Sequence, residues 1–127
     1  MIFGVGTDVV EIGRIEKALE RWGERFAARV LCPPELSRFR KHKKPAAYLA
    51  KRFAAKEAFT KALGTGIKAP ANWHGVWVVN QRSGKPELEF SPSLKDLLQK
   101  KGILQSHLSL ADERGIAVAT VILECEK

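Results

Sequence analysis

Residues 46–63 read AAYLAKRFAAKEAFTKAL and predict a long helix that forms the centre of the fold. The alanine-rich composition gives this stretch a high helix propensity, and Gly64 directly after it is a typical C-cap. Glu57 falls in the middle of the apolar face of this helix, which is formed by Ala46, Leu49, Ala50, Phe53 and Ala54. An ionised carboxylate among apolar groups is costly unless it is paired, hydrogen-bonded or bound to a metal ion. Glu57 is therefore a candidate functional residue.

The segments around this helix predict an α+β fold with an antiparallel sheet packed against it. Residues 2–10 predict a buried first strand, and residues 11–29 predict one amphipathic helix whose core stripe is Ile15, Leu19, Trp22 and Phe26. Residues 35–42 predict a short helix. Residues 76–80 and 87–90 predict one hairpin, and 107–112 and 116–124 a second, with a serine-capped helix through Lys101 between them. We expect a single domain over residues 1–127.

Composition limits the classes of protein to which the chain can belong. The 127 residues are 45% hydrophobic and carry a formal net charge of +8, and no apolar run approaches the roughly 20 residues of a membrane span. The first five residues lack a basic leader, so we expect no signal peptide, a cytoplasmic protein, and Cys32 and Cys125 as reduced thiols. The positive charge calls for a partner such as nucleic acid, an anionic membrane, a polyphosphate ligand or an acidic protein.

Basic residues are segregated on one face of the predicted helix 11–29. Arg14, Lys17, Arg21 and Arg25 form this strip, whereas the acidic residues Glu16, Glu20 and Glu24 form a separate one. Such a strip is either a solvated helix face or a docking surface for an acidic partner. The spacing alone leaves both interpretations open.

A second carboxylate, Asp8, closes the first strand. Gly4 and Gly6 would weaken a plain strand, which indicates the close approach of another backbone or a ligand. Taken alone, Asp8 is also a candidate N-cap, and Glu57 could form a simple salt bridge with Lys61 one turn later. If the first strand packs on the long helix, Asp8 and Glu57 converge, and two carboxylates suit a Mg²⁺ ion that also binds substrate phosphates.

Other polar residues fit a phosphate-bearing ligand without requiring one. The segment Gly64-Thr65-Gly66 is either a helix cap or a backbone cradle for a pyrophosphate. Arg52, Lys56 and Lys61 lie on the long helix and, with the basic cluster at 40–44, would supply charge for several phosphates. His107 and Ser109 share one face of their predicted strand with Ala111, where His107 is either a structural hydrogen-bonding residue or a ligand contact.

Four segments together resemble one known family. They are GTDVVEI at residues 6–12, RFAAKEA at 52–58 with Lys61, GTG at 64–66, and HLSLADER at 107–114. The chain resembles the holo-acyl-carrier-protein synthases, the small bacterial branch of the 4′-phosphopantetheinyl transferases, over essentially its whole length. The two acidic motifs in this order carry most of the resemblance.

The resemblance implies an activity. Such enzymes transfer the 4′-phosphopantetheine arm of coenzyme A to a serine of apo acyl carrier protein, release adenosine 3′,5′-bisphosphate, and support fatty acid biosynthesis. Asp8, Glu57 and Lys61 would be the catalytic residues, with Asp8 and Glu57 as ligands of Mg²⁺ and Lys61 near the phosphates. The base that deprotonates the serine is either Glu57 or a metal-bound water held by Asp8.

The resemblance also implies partners. Coenzyme A would contact Arg52, Lys61, Gly64, Thr65, Gly66, His107 and Ser109, with Lys43 and Lys44 at its 3′-phosphate. The family assembles as a homotrimer with active sites between subunits, so His107 and Ser109 would serve a neighbour's Asp8 and Glu57. Acyl carrier proteins are acidic, and the basic strip at Arg14, Lys17, Arg21 and Arg25 would dock one near the metal.

A nucleic-acid-binding module is the alternative that the positive charge suggests. Such a module needs exposed aromatic side chains interleaved with basic ones. Trp73 and Trp77 lie away from the main basic clusters in the sequence. We therefore expect neither nucleic acid nor membrane as a partner.

Overall fold

The computed structural model describes residues 1–126 and has helices and antiparallel strands of the α+β class. In chain order the elements are β1 (Ile2–Glu11), α1 (Ile12–Trp22), α2 (Glu24–Val30), α3 (Pro33–Lys41), α4 (Pro45–Leu63), β2 (Val76–Asn80), β3 (Pro86–Phe90), α5 (Pro92–Lys100), β4 (Ile103–Glu113) and β5 (Ile116–Cys125). Both hairpins and every helix-forming region that the sequence predicts are present.

The strands form two antiparallel sheets rather than one. One sheet has the order β1-β5-β4, and the other is the β2-β3 hairpin. On the inner face of the larger sheet, which packs against α4, the β5 side chains Ala117, Ala119, Val121 and Leu123 are fully buried. The outer face leaves Val5 and Val9 more than half exposed.

Helix α4 is the core element of the fold. It begins at Pro45, a residue suited to the first turn, and ends at Gly64, whose φ of 88° is left-handed. Twelve of its 19 residues are buried, because the sheet covers one side and the other helices cover another. Glu57 is only half-buried, at the margin of this core.

Two glycines of β1 allow the strand to lie directly on α4. A Cβ atom on Gly6 would lie 1.9 Å from the carbonyl oxygen of Ala58, and one on Gly4 would lie 2.0 Å from that of Ala62. Any side chain at these positions would therefore force the two elements apart. The expectation of a close backbone approach is confirmed, and the approaching backbone is that of α4.

The prediction of a single helix over residues 11–29 is wrong. The helix breaks at Gly23, whose φ of 62° is outside the helical region, and α2 starts in a new direction. The break turns Trp22 outwards, so this predicted core residue is 54% exposed. Ile15 is buried as expected, and Leu19 and Phe26 are partly buried against the core.

Smaller differences concern element ends. Helix α3 begins at Pro33, two residues before the predicted start, and β4 begins at Ile103 rather than His107. Ser91 caps α5, because its hydroxyl oxygen accepts a hydrogen bond from the Leu94 N–H. Cys32 and Cys125 are free. Within residues 1–126, no helix combines the length and the apolar character that crossing a bilayer requires.

Candidate active site

Asp8 and Glu57 lie in one cavity of about 410 Å³. Strand β1 places Asp8 opposite Ala119 of β5, and therefore on the inner sheet face that looks towards α4. Glu57 comes from the adjoining part of α4. Lys61 and Arg14 line the same cavity. The packing of β1 on α4 thus brings together the two carboxylates that the sequence separates by 49 positions.

Lys61 is bound to Asp8. Its Nζ atom lies 2.9 Å from Asp8 Oδ1 and donates a second hydrogen bond to the Thr7 carbonyl oxygen at 3.1 Å. The simple salt bridge between Glu57 and Lys61 is therefore not the ion pair that forms. Asp8 is not the N-cap of α1 either, since that position is occupied by Glu11. Neither the N-cap role of Asp8 nor the Glu57–Lys61 salt bridge forms, and both carboxylates line one cavity instead.

The pKa of Glu57 is raised above its ordinary value. Burial is the largest cause, the negative charge of Asp8 adds to it, and Lys61 partly offsets it. Ile15, Phe26 and Phe53 provide apolar walls in this cavity, with the Phe26 and Phe53 ring centroids 6.5 Å apart. A carboxylate in such a place holds its proton more strongly and repels its neighbouring carboxylate, so a cation between the two would be stabilised.

Arg52 lies in a different, basic cavity of about 450 Å³. The residue is only 6% exposed, and its guanidinium stacks 4.0 Å from the centroid of the Tyr48 ring. Its Nη2 donates to Asn80 Oδ1 at 3.1 Å, whereas its buried Nε has no hydrogen-bond partner within residues 1–126. Arg38, Lys41, His42 and Lys51 also line this cavity. A cavity lined by several cationic side chains suits an anionic group.

Lys43 and Lys44 are exposed and do not line this basic cavity. They form the connection between α3 and α4, where the Lys44 N–H donates to His42 Nδ1. In the segment after α4, Gly64 and Gly66 have φ values of 88° and 70°, and the Thr65 hydroxyl donates to the Gly66 carbonyl oxygen. The helix-cap role of Gly64 is confirmed.

His107 and Ser109 lie on the outer face of the larger sheet. Their register partners on β5 and β1 are Ile122 with Val5, and Thr120 with Thr7, all on the face opposite to Asp8. His107 Nε2 contacts the Glu124 carboxylate rather than a backbone group. One chain alone therefore does not bring His107 and Ser109 to Asp8 and Glu57.

Lys56 does not face any ligand. Its side chain is fully buried, and its Nζ donates to Val30 O at 2.6 Å, Glu35 Oε1 at 2.7 Å and Trp73 O at 2.7 Å. The expectation that Lys56 supplies charge for phosphates is wrong. Helical geometry is the reason, because residues 56 and 57 point about 100° apart and only Glu57 faces the cavity.

The basic strip is divided by the break at Gly23. Arg14, Lys17 and Arg21 lie on α1 and Arg25 lies on α2, and all four are exposed. A second cavity of about 480 Å³, lined by Trp22, Arg25 and Arg29, adjoins the carboxylate cavity through the shared residues Ala18 and Phe26. The basic surface is therefore continuous with the site that contains Asp8.

Comparisons with known proteins show the family to which this chain belongs. Residues 4–121 match the model of the 4′-phosphopantetheinyl transferase superfamily. The holo-[acyl-carrier-protein] synthase of Nitrosospira multiformis is 50% identical over 124 residues, covering 98% of this chain and 99% of that protein. This chain belongs to that superfamily. Within it, the chain belongs with the holo-acyl-carrier-protein synthases, which are enzymes.

Solved structures of holo-acyl-carrier-protein synthases have the same fold. The crystal structure from Neisseria meningitidis superposes with a TM-score of 0.95 at 44% identity, covering 98% of this chain and 99% of that one. A structure from Bacillus anthracis in complex with CoA (3′,5′-ADP) has a TM-score of 0.84 at 36% identity, covering 99% of each chain.

The sequence did not single out several residues that shape these holo-acyl-carrier-protein synthase cavities. Asn80, which binds Arg52, has no pattern that marks it, because its contact arises from tertiary packing. Phe26 and Phe53 belong to the apolar faces of their helices, where such residues are typical of the core. Glu35, which binds the buried Lys56 rather than lining a cavity, has a local signal, since an acidic residue three positions after an N-cap commonly accepts from the cap backbone N–H.

The aromatic residues considered for nucleic-acid binding are engaged inside this member of the superfamily. Trp73 packs against Phe53 with ring centroids 5.0 Å apart, and Trp77 Nε1 donates to Glu89 Oε1. Each of these tryptophans therefore has a partner within the chain, Phe53 for Trp73 and Glu89 for Trp77.

Proposed function

We propose that this protein transfers the 4′-phosphopantetheine group of coenzyme A to a serine hydroxyl of an apo acyl carrier protein. The products are holo acyl carrier protein, for use in fatty acid biosynthesis, and adenosine 3′,5′-bisphosphate. The observation that carries the proposal is the meeting of Asp8, Glu57 and Lys61 in one cavity on a fold whose relatives bear the synthase name. The basic strip formed by Arg14, Lys17, Arg21 and Arg25 adjoins the same cavity.

The reaction requires a base for the serine proton, groups that position the phosphorus, and groups that bind the departing adenosine 3′,5′-bisphosphate. A bond forms between the serine Oγ and the phosphorus that bears pantetheine, and the bond from that phosphorus to the oxygen of the adenosine 5′-phosphate breaks. Glu57 is the residue we assign to take the serine proton, because its carboxylate lines the same cavity as Asp8 and Lys61. Lys61, half exposed and in the same cavity, is assigned to the phosphate oxygens.

The carboxylate pair suits a Mg²⁺ ion. Burial and the charge of Asp8 both disfavour ionised Glu57, and a divalent cation relieves both effects. Two carboxylates in one cavity suit magnesium, because this ion keeps water and substrate oxygens as its other ligands. When bound, magnesium would offset the negative charge that develops on the pyrophosphate. Asp8 and Glu57 are the residues that would hold it.

Coenzyme A is assigned to groups on both sides of the sheet. Arg52 lines a cavity rich in cationic side chains and is therefore suited to one of the phosphates, and Lys43 and Lys44 add charge next to this region. The left-handed glycines of the Gly64-Thr65-Gly66 segment can present backbone N–H groups to the pyrophosphate. His107 and Ser109 would contact the coenzyme A held by a neighbouring subunit.

A homotrimer is part of this proposal. The outer face of the larger sheet carries exposed apolar side chains, with Val5 57% exposed and Val9 59% exposed. A face of this kind is a usual site of association between chains. Because His107 and Ser109 lie on it, association through this face would take them towards the carboxylates of another subunit.

The experiment that tests the proposal is intact mass spectrometry of apo acyl carrier protein incubated with this protein, coenzyme A and Mg²⁺. We expect a mass gain equal to phosphopantetheine, which EDTA prevents. Asp8→Ala and Glu57→Ala should both abolish the gain while the circular dichroism spectrum stays that of the parent. Turnover retained in either variant would contradict the metal assignment, and no gain in the parent with any carrier protein would contradict the function.

The assignment of the basic strip to carrier-protein docking has a separate test. Arg21→Glu should raise the KM for the acidic carrier protein about tenfold and leave coenzyme A binding unchanged, because charge reversal on a docking surface mainly weakens association. Lys100→Glu, an equal charge change at an exposed position of α5, is the matched control and should change neither. An unchanged KM in Arg21→Glu would mean that the strip is only a solvated helix face.

A further inference from the structure

The Lys61 ammonium lies on the carboxylate that is assigned to the metal. It contacts Asp8 Oδ1 at 2.9 Å and the Thr7 carbonyl oxygen at 3.1 Å. The Asp8 side chain is only 16% exposed, whereas the Lys61 side chain is 51% exposed. A shielded carboxylate is thus neutralised by a cation whose side chain is about half exposed.

This arrangement contrasts with that of Lys56, the other lysine of α4 that is paired with a carboxylate at a distance below 3 Å. Lys56 is fully buried and is held by three acceptors, so it is fixed in place. Lys61 has a flexible four-carbon stem and an exposed side, so it can leave Asp8 without opening the core. Of these two lysines, Lys61 is the one built to move.

We propose that Lys61 is an internal counter-ion that competes with the divalent cation for Asp8 and couples metal binding to coenzyme A binding. This inference rests on the proposed function. In the absence of ligands, Lys61 neutralises Asp8. A metal ion at Asp8 displaces the ammonium or is repelled by it, and a pyrophosphate nearby gives the displaced ammonium a new anionic partner.

Competition follows from charge and distance. Two cations held at the same carboxylate repel each other, and a carboxylate already neutralised by an ammonium attracts a metal ion less strongly. Metal binding must therefore overcome the Lys61 contact. Removal of the lysine charge relieves this opposition, so the metal alone should bind more tightly.

Coupling follows from the same displacement. Coenzyme A draws Lys61 from Asp8 and exposes that carboxylate, which favours the cation, and the cation in turn frees Lys61 for the phosphates. By linkage, each ligand raises the affinity for the other by the same factor. Without Lys61, only the direct contact between metal and pyrophosphate remains as a source of coupling.

The test is a Mn²⁺ titration of the full chain, followed by the electron paramagnetic resonance signal of free Mn²⁺, with and without coenzyme A. Without coenzyme A, Lys61→Met should bind Mn²⁺ about two- to fivefold more tightly than the parent, the range expected for removal of one half-exposed ion pair. Lys61→Arg keeps the charge and should bind like the parent. Lys100→Met removes an exposed lysine elsewhere and should also bind like the parent.

Coenzyme A should tighten Mn²⁺ binding by a larger factor in the parent than in Lys61→Met. Mn²⁺ affinity that is equal to or weaker than the parent's in Lys61→Met would overturn the inference, as would an unchanged coupling factor. Lys61→Gln serves as a second neutral variant if Lys61→Met does not fold. If the parent binds Mn²⁺ through Asp8 and Lys61→Met binds no more tightly, only this inference fails. If the parent binds no Mn²⁺ with coenzyme A present, the proposed metal-dependent function fails as well.

Discussion

The Lys56 ammonium is surrounded by three oxygen acceptors and fully removed from solvent. Its partner Glu35 is only 2% exposed, and the Glu35 carboxylate also accepts from the Cys32 and Val78 backbone N–H groups. This buried network joins the ends of α2, α3 and β2 to α4. The sequence cannot show it, because a lysine beside a glutamate at positions 56 and 57 looks the same whether it faces solvent, a ligand or the core.

Loss of the buried cation should be costly. We predict that Lys56→Met lowers the free energy of unfolding by about 3–5 kcal/mol, since Glu35 is left as an unpaired buried charge. Urea denaturation measures this change. The double variant Lys56→Met/Glu35→Gln should recover part of the loss, and Lys61→Met, which breaks a half-exposed pair, should cost about 1 kcal/mol or less. Equal costs for Lys56→Met and Lys61→Met would show that the network does not stabilise the fold.

The raised pKa of Glu57 predicts a pH effect on stability. Because the folded pKa lies above the unfolded one, the folded chain binds more protons between these values, and stability falls as pH rises through them. In EDTA at pH 7, Glu57→Gln should therefore melt about 1–3 °C higher than the parent, a modest gain because the site is partly solvated. The gain should disappear below about pH 4, where both states are protonated. A lower melting temperature at pH 7 would contradict this electrostatic account.

At the scale of elements, the contact between β1 and α4 determines whether the carboxylates meet. The sequence predicts both elements and, from Gly4 and Gly6, a close approach. It does not predict which backbone approaches, since that depends on the order β1-β5-β4, and this order joins strands from the two ends of the chain. Periodicity also fails at Gly23, because the apolar spacing continues across the break between α1 and α2.

A methyl group at Gly6 should separate the two carboxylates. Gly6→Ala places a Cβ within 1.9 Å of the Ala58 carbonyl oxygen, so β1 and α4 must move apart. We predict a loss of Mn²⁺ affinity and of transfer rate of at least about tenfold, the scale of a displacement near 1 Å at a catalytic site. Gly13→Ala is the matched control, because a Cβ there meets nothing within 4 Å. Equal activity in both variants would contradict the positioning role of Gly6.

For the whole molecule, one chain contains only part of the proposed coenzyme A site. The sequence places His107 and Ser109 on one face of a strand, and the structure agrees, but that face is opposite to Asp8. Residue patterns do not reveal which surface meets another chain. Val5 and His107 lie on the same outer face, because both pair with Ile122 of β5. Association between chains through this face would complete the site.

A charge on this face should therefore separate the subunits without unfolding them. We predict that Val5→Lys shifts the molar mass in light scattering from that of a trimer to that of a single chain, because a lysine in an apolar interface must be desolvated. The melting temperature of the separated chain should reflect only the lost association, since Val5 is already 57% exposed within one chain.

Transfer should fall together with assembly and recover at high protein concentration, as mass action requires. Gln99→Lys, which changes an exposed position of α5, is the control and should keep the trimer and its activity. Full transfer by a monomeric Val5→Lys variant would show instead that each chain contains a complete site, and His107 and Ser109 would then have no role in the reaction.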